Sequence, residues 1–372
     1  MKSVLARIPS FRLGRALGRA LTLPASLTVS VLYACNARCK TCNVWETKAS
    51  VLRVDEYDRI FASLGRAPRW VTVSGGEPFL RKDLAQIVGA LHRRCRPSVI
   101  NLPTNGTLPE RVEAIVDEVT TLARDSSIVV NLSLDELGER HDEIRGFPGN
   151  WARAQETLAA LRRIKAKKKN LTIGIHSVVS RFNEERFPHI AQELVALGPD
   201  SYLAEIAEQR VELGTTAADI PPSRAGVLRA IEVLRAQSKR SRTLVELLVT
   251  SLRQEYYRYL DAWVRAPREV LPCYAAITSA HVMPEGKVWG CCVLGESLGE
   301  LRAVDYDFPT LWYGAAAARI RDRIRRERCH CPLANQTYLN ILVDPKSLVR
   351  AGARAAGAMA RGIAHTPWPT SS

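Results

Sequence analysis

Cys35-Asn36-Ala37-Arg38-Cys39-Lys40-Thr41-Cys42 sets three cysteines at C-x3-C-x2-C spacing. Three thiolates can hold three irons of a cubane iron–sulfur cluster and leave the fourth iron open to a small molecule. Zinc is the competing occupant. Its sites usually pair two cysteines and complete a tetrahedron with two further ligands. Neither a histidine nor a fourth cysteine lies close to this triplet. The spacing favours a cluster and leaves zinc as the alternative.

Downstream, Trp70-Val71-Thr72-Val73-Ser74 runs into Gly75-Gly76-Glu77-Pro78. Paired glycines let backbone approach a ligand closely. A carboxylate beside them can accept hydrogen bonds from an ammonium group. Alone, this tetrapeptide would be a plain turn. Together, and each at the end of an apolar run, the two motifs closely resemble the radical S-adenosylmethionine (SAM) superfamily. Its signature is such a cysteine triplet after the first barrel strand and a GGEP motif after the second.

The resemblance implies a fold, cofactors and a reaction. The fold is α/β, an open partial (βα)6 TIM-like barrel. The cofactors are a [4Fe-4S] cluster on Cys35, Cys39 and Cys42, and SAM. Gly75, Gly76, Glu77 and Pro78 would hold the amino end of SAM. Ser133-Leu134-Asp135, continued by His141-Asp142 and Arg145-Gly146, is similar to a second family pattern. It would place Ser133 and Arg145 near the SAM carboxylate or ribose, with Asn105 as a further contact. A flavodoxin- or ferredoxin-type partner would supply one electron. SAM would split to a 5′-deoxyadenosyl radical that takes hydrogen from a peptide or small-molecule substrate. No residue is assigned a catalytic role.

The elements that must position these residues follow from periodicity. Strand-like runs fall at 27–33, 70–74, 98–103, 128–134, 171–179 and 201–206. Helical patterns lie between them near 54–64, 81–93, 109–123, 150–166 and 184–197. Such alternation predicts a parallel sheet with outer helices, and functional groups at the C-terminal strand ends. Glu205, Glu208 and Arg210 follow the sixth strand and are the expected substrate-pocket residues. His176, on the fifth, is expected to be structural. Cys95 stands alone and is expected as a small buried hydrophobe.

A second cysteine set comprises Cys273, Cys291, Cys292, Cys329 and Cys331. Ile277–Met283 and Lys287–Trp289 flank Pro284-Glu285-Gly286, a hairpin signal that brings Cys273 and Cys291 together. This arrangement resembles the opening of a SPASM or twitch region. It implies an auxiliary [4Fe-4S] cluster on Cys273, Cys291, Cys329 and Cys331, with Cys292 as the substitute for Cys291. The cysteines are too few for the two clusters of a full SPASM region, and the C-x-C closure departs from the usual spacing. Zinc and free thiols remain the alternatives. The expected divisions are a basic N-terminal segment (1–25), the barrel (26–215), a helical linker region (216–265), a small α+β cluster-binding domain (266–340) and a basic tail (341–372).

Charge and size bound the rest. The 372 residues suffice for a large core, and no apolar run reaches a membrane span. The odd number of cysteines, at metal-type spacings, predicts reduced thiols and a cytoplasmic location. Net charge is +15. Much of the excess lies in acid-free termini: Lys2, Arg7, Arg12, Arg15 and Arg19 at one end, Lys346, Arg350, Arg354 and Arg361 at the other. The middle is only mildly basic and lacks an aromatic stacking cluster, so nucleic acid is not an expected partner. Leu13, Leu17 and Leu21, and in the tail Leu348, Gly352, Ala355, Met359 and Ile363, give each terminus an apolar side. Either could rest peripherally on an anionic membrane; the preferred reading is that both pack on the domain or fray. Two non-enzymatic readings stay open. One is an iron–sulfur electron carrier, which would have no use for an amino-acid clamp. The other is a zinc-bound nucleic-acid module.

Overall fold

The computed structural model describes residues 2–236 and 244–360. Six parallel strands form its centre: β1 (Ser26–Ser30), β2 (Trp70–Ser74), β3 (Val99–Thr104), β4 (Ser127–Ser133), β5 (Leu171–Val179) and β6 (Ser201–Ile206). Each agrees with an expected strand; β1 ends earlier than its apolar run because Val31–Tyr33 turns into the cysteine loop.

One face of this sheet is apolar. Leu27, Val29, Val71, Val73, Ile100, Leu102, Ile128 and Val130 are all fully buried. Intervening positions are polar and line the concave side, where Asn131 donates to Asn101 Oδ1 at 2.8 Å and Asn101 to Thr72 Oγ1 at 3.4 Å. Outer helices cover the apolar face. Lys2–Leu5 (α1) and Ile8–Ala16 (α2) precede β1. Val54–Leu64 (α3), Leu84–Cys95 (α4), Pro109–Leu122 (α5), Gly138–Arg145 (α6), Asn150–Lys165 (α7) and Phe187–Ala196 (α8) follow the strands. In α3, Tyr57, Ile60, Phe61 and Leu64 are buried at one-face spacing. Cys95 closes α4 in the core, fully buried as expected.

The sheet does not stop at β1. A C-terminal hairpin, β7 (Ser279–Val282) and β8 (Lys287–Trp289), with β9 (Ser297–Glu300), continues it. β7 pairs parallel to β1, and the order is β6-β5-β4-β3-β2-β1-β7-β8-β9, unclosed. The hairpin agrees with the turn expected at Pro284-Glu285-Gly286, but its strands extend the barrel sheet and do not form a sheet of their own.

Residues 216–265 pack more than a linker would. They hold α9 (Arg224–Ala236), against α8, and α10 (Leu244–Arg265), against the later α13 (Ala334–Val343) and α14 (Pro345–Ala360). Between these lie α11 (Phe308–Trp312) and α12 (Ala315–Arg326). Of the basic tail, Arg350 and Arg354 both donate to the buried Glu255 of α10, at 2.9 and 2.8 Å. Ala355 is buried and Met359 exposed; Arg361 and Ile363 lie outside the described residues. These arginines hold α14 in place.

Glu255→Ala is expected to cost about 2 kcal/mol, the loss of charge-assisted hydrogen bonds to a buried carboxylate. Amide exchange should rise across 345–360. Unchanged exchange there would show that α14 is held by apolar packing alone.

Candidate active site

The loop after β1 carries Cys35, Cys39 and Cys42. It is gripped from two sides by backbone. On one side Gly76 donates to Leu32 O (2.9 Å) and Glu77 to Ala34 O (3.0 Å). A Cβ at Gly75 would lie 2.3 Å from Leu32 O, and one at Gly76 2.2 Å from Ala34 O. The paired glycines thus make room for the cysteine loop itself. On the other side Arg38 donates to Arg145 O (3.1 Å) and Lys40 to Ile144 O (2.9 Å). Gly146 (φ +58°) presses on Arg38 O, where a Cβ would come to 2.2 Å.

The three thiols line one cavity with Gly75, Gly76 and Glu77. Asn105, Ser133 and Arg145 line it too. Pro78 does not; it opens a short 3-10 turn and is buried. Glu77 is buried and accepts from Asn105 N (2.7 Å), Thr104 Oγ1 (3.0 Å) and Phe79 N (3.1 Å). Burial outweighs these neutral donors and pushes its carboxyl up to about 7. Asn105 also donates to Asn36 Oδ1 at 2.9 Å. Burial raises all three thiols above the ordinary cysteine value.

Arg145 is buried and donates through Nη1 to Asp135 Oδ2 at 2.9 Å. Its Nε is buried without a hydrogen-bond partner among the described residues. Asp135 also accepts from Val178 N at 2.8 Å. Its part in aiming Arg145 was not foreseen, although it stands in the same S-x-D run. His176, expected to be structural, lines the cavity 3.7 Å from Glu205 Oε1, its Nε2 without a hydrogen-bond partner among the described residues.

The expected pocket residues also line this cavity. Arg210 bonds Glu208 Oε1 at 3.0 Å and lies 3.6 Å from Glu205 Oε2. Burial pushes Glu208 up to about 7 despite Arg210.

The later cysteines lie away from the cysteine loop: Arg15 of α2 donates to Cys273 O at 3.0 Å, and β8 runs back toward the start of β1 before Cys291. Burial pushes the Cys273 thiol up to about 12, with Cys291 and Cys329 adding to the shift. Cys331 is raised by burial, then by Glu208, Cys273 and Cys291. Cys292 differs: after burial, its neighbours are Glu212 and Arg210. The Cys291 thiol adds to the upward shift of Cys273, Cys329, Cys331 and Cys292 alike. No three described His, Cys, Asp or Glu side chains converge as they would on one metal ion.

His141 steadies the strand-end loop that carries Asp135. Its Nδ1 accepts from Asp135 N (3.3 Å) and its Nε2 faces Asn150 Oδ1 (2.9 Å), the pattern of a neutral ring. Burial lowers its pKa from 6.5 to about 4. The unfolded chain therefore takes this proton first as pH falls, so the contribution is intact above about 6.5 and lost toward 4. Denaturant titrations at pH 7 and pH 5 should differ by about 2 kcal/mol from this group. His141→Asn should remove that difference; an unchanged slope would assign it elsewhere.

Comparison with known proteins places this geometry. The model of the radical SAM superfamily matches residues 29–194. The GTP 3′,8-cyclase of Rhodopseudomonas palustris (strain TIE-1) is 27% identical over 235 residues, covering 56% of this chain and 65% of that protein. The PqqA peptide cyclase of Xanthomonas axonopodis pv. citri is 28% identical over 225 residues, 55% of each. This chain thus spans less than two thirds of the length of either relative. Streptococcus suis SuiB bound to precursor peptide SuiA shares the fold at 16% identity, with a TM-score of 0.57 over 84% of this chain and 70% of that one. The cysteine loop and the GGEP turn both lie within residues 29–194, the stretch that matches the radical SAM superfamily.

Proposed function

We propose that this protein is a radical SAM enzyme with an auxiliary iron–sulfur cluster of SPASM or twitch type, acting in the cytoplasm with a flavodoxin- or ferredoxin-type electron donor. One observation carries the reading. A single cavity joins three thiols, a buried carboxylate held only by neutral donors, and a buried guanidinium Nε that lacks an acceptor. The last two complement the ammonium and carboxylate of an amino acid, so the residues fit SAM as well as a cluster.

Cys35, Cys39 and Cys42 would hold a [4Fe-4S] cluster, and Cys273, Cys291, Cys329 and Cys331 the auxiliary one. Together, cluster and SAM supply a 5′-deoxyadenosyl radical that abstracts hydrogen from substrate. The chain's residues position and shield. Glu77 accepts from the ammonium, Arg145 Nε donates to the carboxylate, and Ser133 lies beside them. Asp135 fixes the guanidinium so that binding needs little reorganisation. Glu205, Glu208 and Arg210 form the wall against which substrate is oriented. A peptide is the first substrate to test, because the PqqA peptide cyclase and peptide-bound SuiB are both named for peptides; a small molecule is the second.

The test is anaerobic reconstitution with iron and sulfide, then SAM and a strong reductant, with 5′-deoxyadenosine as the readout. The parent should form it and the Cys35→Ala/Cys39→Ala/Cys42→Ala variant should not. A loaded parent that neither cleaves nor binds SAM would sink the reading in favour of an electron carrier. Separately, iron should fall from about eight to about four per chain in Cys273→Ala/Cys331→Ala. Unchanged iron would remove the auxiliary cluster.

A further inference from the structure

The short helix α2 is turned the opposite way from its expected packing. Phe11 and Gly14 are its buried residues, and Phe11 sits among Ala25, Tyr274, Ile277 and Val343. Its longer apolar side faces outward: Leu5 of α1 is 39% exposed, Leu13 53% and Leu17, just past the helix, 52%. Burial of these leucines within the fold would need the helix rotated, which Arg15 prevents by bonding Cys273 O (3.0 Å) and Glu269 (2.9 Å).

The stripe has basic surroundings. Arg12 and Arg19 are exposed beside it, and the sequence has no acidic residue before Glu46. The segment is anchored at the N-terminal ends of the strands: Arg7 donates to Ala67 O (2.9 Å), just ahead of β2, and to Thr22. Exposed Arg66 and Arg96, in the loops into β2 and β3, lie at the same end, as does half-exposed Trp70. α14 begins nearby, since Val343 packs with Phe11, and brings Lys346 and the 71% exposed Val349. The acids beside α2 and α14 are engaged, Glu269 with Arg15 and Arg328 and Asp344 with Ser347, while Asp125 lies toward Arg96.

We propose that this end of the molecule docks on an anionic lipid bilayer, with Leu5, Leu13 and Leu17 entering the interface and Arg12 and Arg19 meeting headgroup phosphates. The combination of outward leucines and unopposed arginines is the chemistry of an in-plane anchor. A symmetric contact with a second copy would set these arginines against themselves. Among the described residues no helix is long and apolar enough to cross a membrane, so attachment would be peripheral. The barrel mouth lies at the other end of the strands and stays open to solution.

The full chain is floated with phosphatidylcholine vesicles, with and without phosphatidylglycerol. Binding is expected only to the phosphatidylglycerol vesicles, released by high salt. Arg12→Gln and Arg19→Gln should each weaken it about fivefold, and Leu13→Ser/Leu17→Ser by at least about tenfold. Thermal unfolding verifies that the variants fold, as their exposed positions predict. Equal binding to both vesicles, or to neither, overturns the proposal. So does light scattering that finds a dimer dissociated by Leu13→Ser/Leu17→Ser, which would assign the stripe to a second copy.

Discussion

Everything at the mouth of this barrel depends on how one loop is clamped. The cysteine loop has no secondary structure of its own beyond a turn, yet its backbone is hydrogen-bonded on both flanks, to the glycine turn after β2 and to the end of α6. Three thiols on an unsupported loop would sample many arrangements, and ordering them would cost conformational entropy at the moment of cluster binding. Here that ordering is built into the fold. The clamp needs glycine at two places for steric reasons, because the partner carbonyls lie about 2 Å from where a Cβ would be. The glycines of both motifs thus serve the cysteines first.

The second consequence comes from the β1–β7 pairing. Because β8 runs antiparallel to β7, the hairpin carries Cys291 back toward the level of Ser26 at the start of β1, away from the loop that holds Cys42. The segment after β6 then crosses between them. Asn43 donates to Leu213 O at 2.8 Å, and Glu212 donates to Cys292 O at 3.3 Å. His281 of β7 lies between Ser30 Oγ (2.8 Å) and Glu212 Oε1 (3.6 Å). A chain that looks like two modules in sequence shares one sheet in space, and Glu208 and Arg210, which line the cavity of the first cysteine group, also act electrostatically on Cys331 and Cys292.

How far the sequence reveals this differs by kind of interaction. Strands, the hairpin and the cysteine triplet are legible because they rest on local periodicity and spacing. The meeting of Glu77, Asn105 and Arg145 at one mouth is legible through strand-end position together with the family resemblance. What is not legible is long-range. The pairing of β7 with β1 joins residues some 250 positions apart, and no local pattern encodes it. The role of Asp135 depends on where Arg145 points. The orientation of α2 misleads in sequence because three leucines outweigh one phenylalanine and one glycine by hydrophobicity, whereas close packing around Phe11 and the Arg15 bonds decide the buried face.

The strongly basic composition has a structural origin that sequence counting misses. Some buried arginines here bind backbone carbonyls. Arg81 is buried and donates to Val31 O (2.7 Å) and Leu52 O (2.5 Å), fixing both ends of the segment that contains the cysteine loop. Arg321 donates to Ala276 O and Trp312 O, both at 2.6 Å, and burial lowers its pKa to about 10. A guanidinium suits this task because its planar fork can satisfy several carbonyls at once. Arg321 thereby adds a positive charge that no carboxylate cancels, whereas Arg81 also pairs with Asp83 at 2.6 Å. Net charge therefore overstates the basic surface offered to a partner. What remains exposed and unopposed must be located residue by residue, and the α2 end of the sheet is where it coincides with exposed leucines.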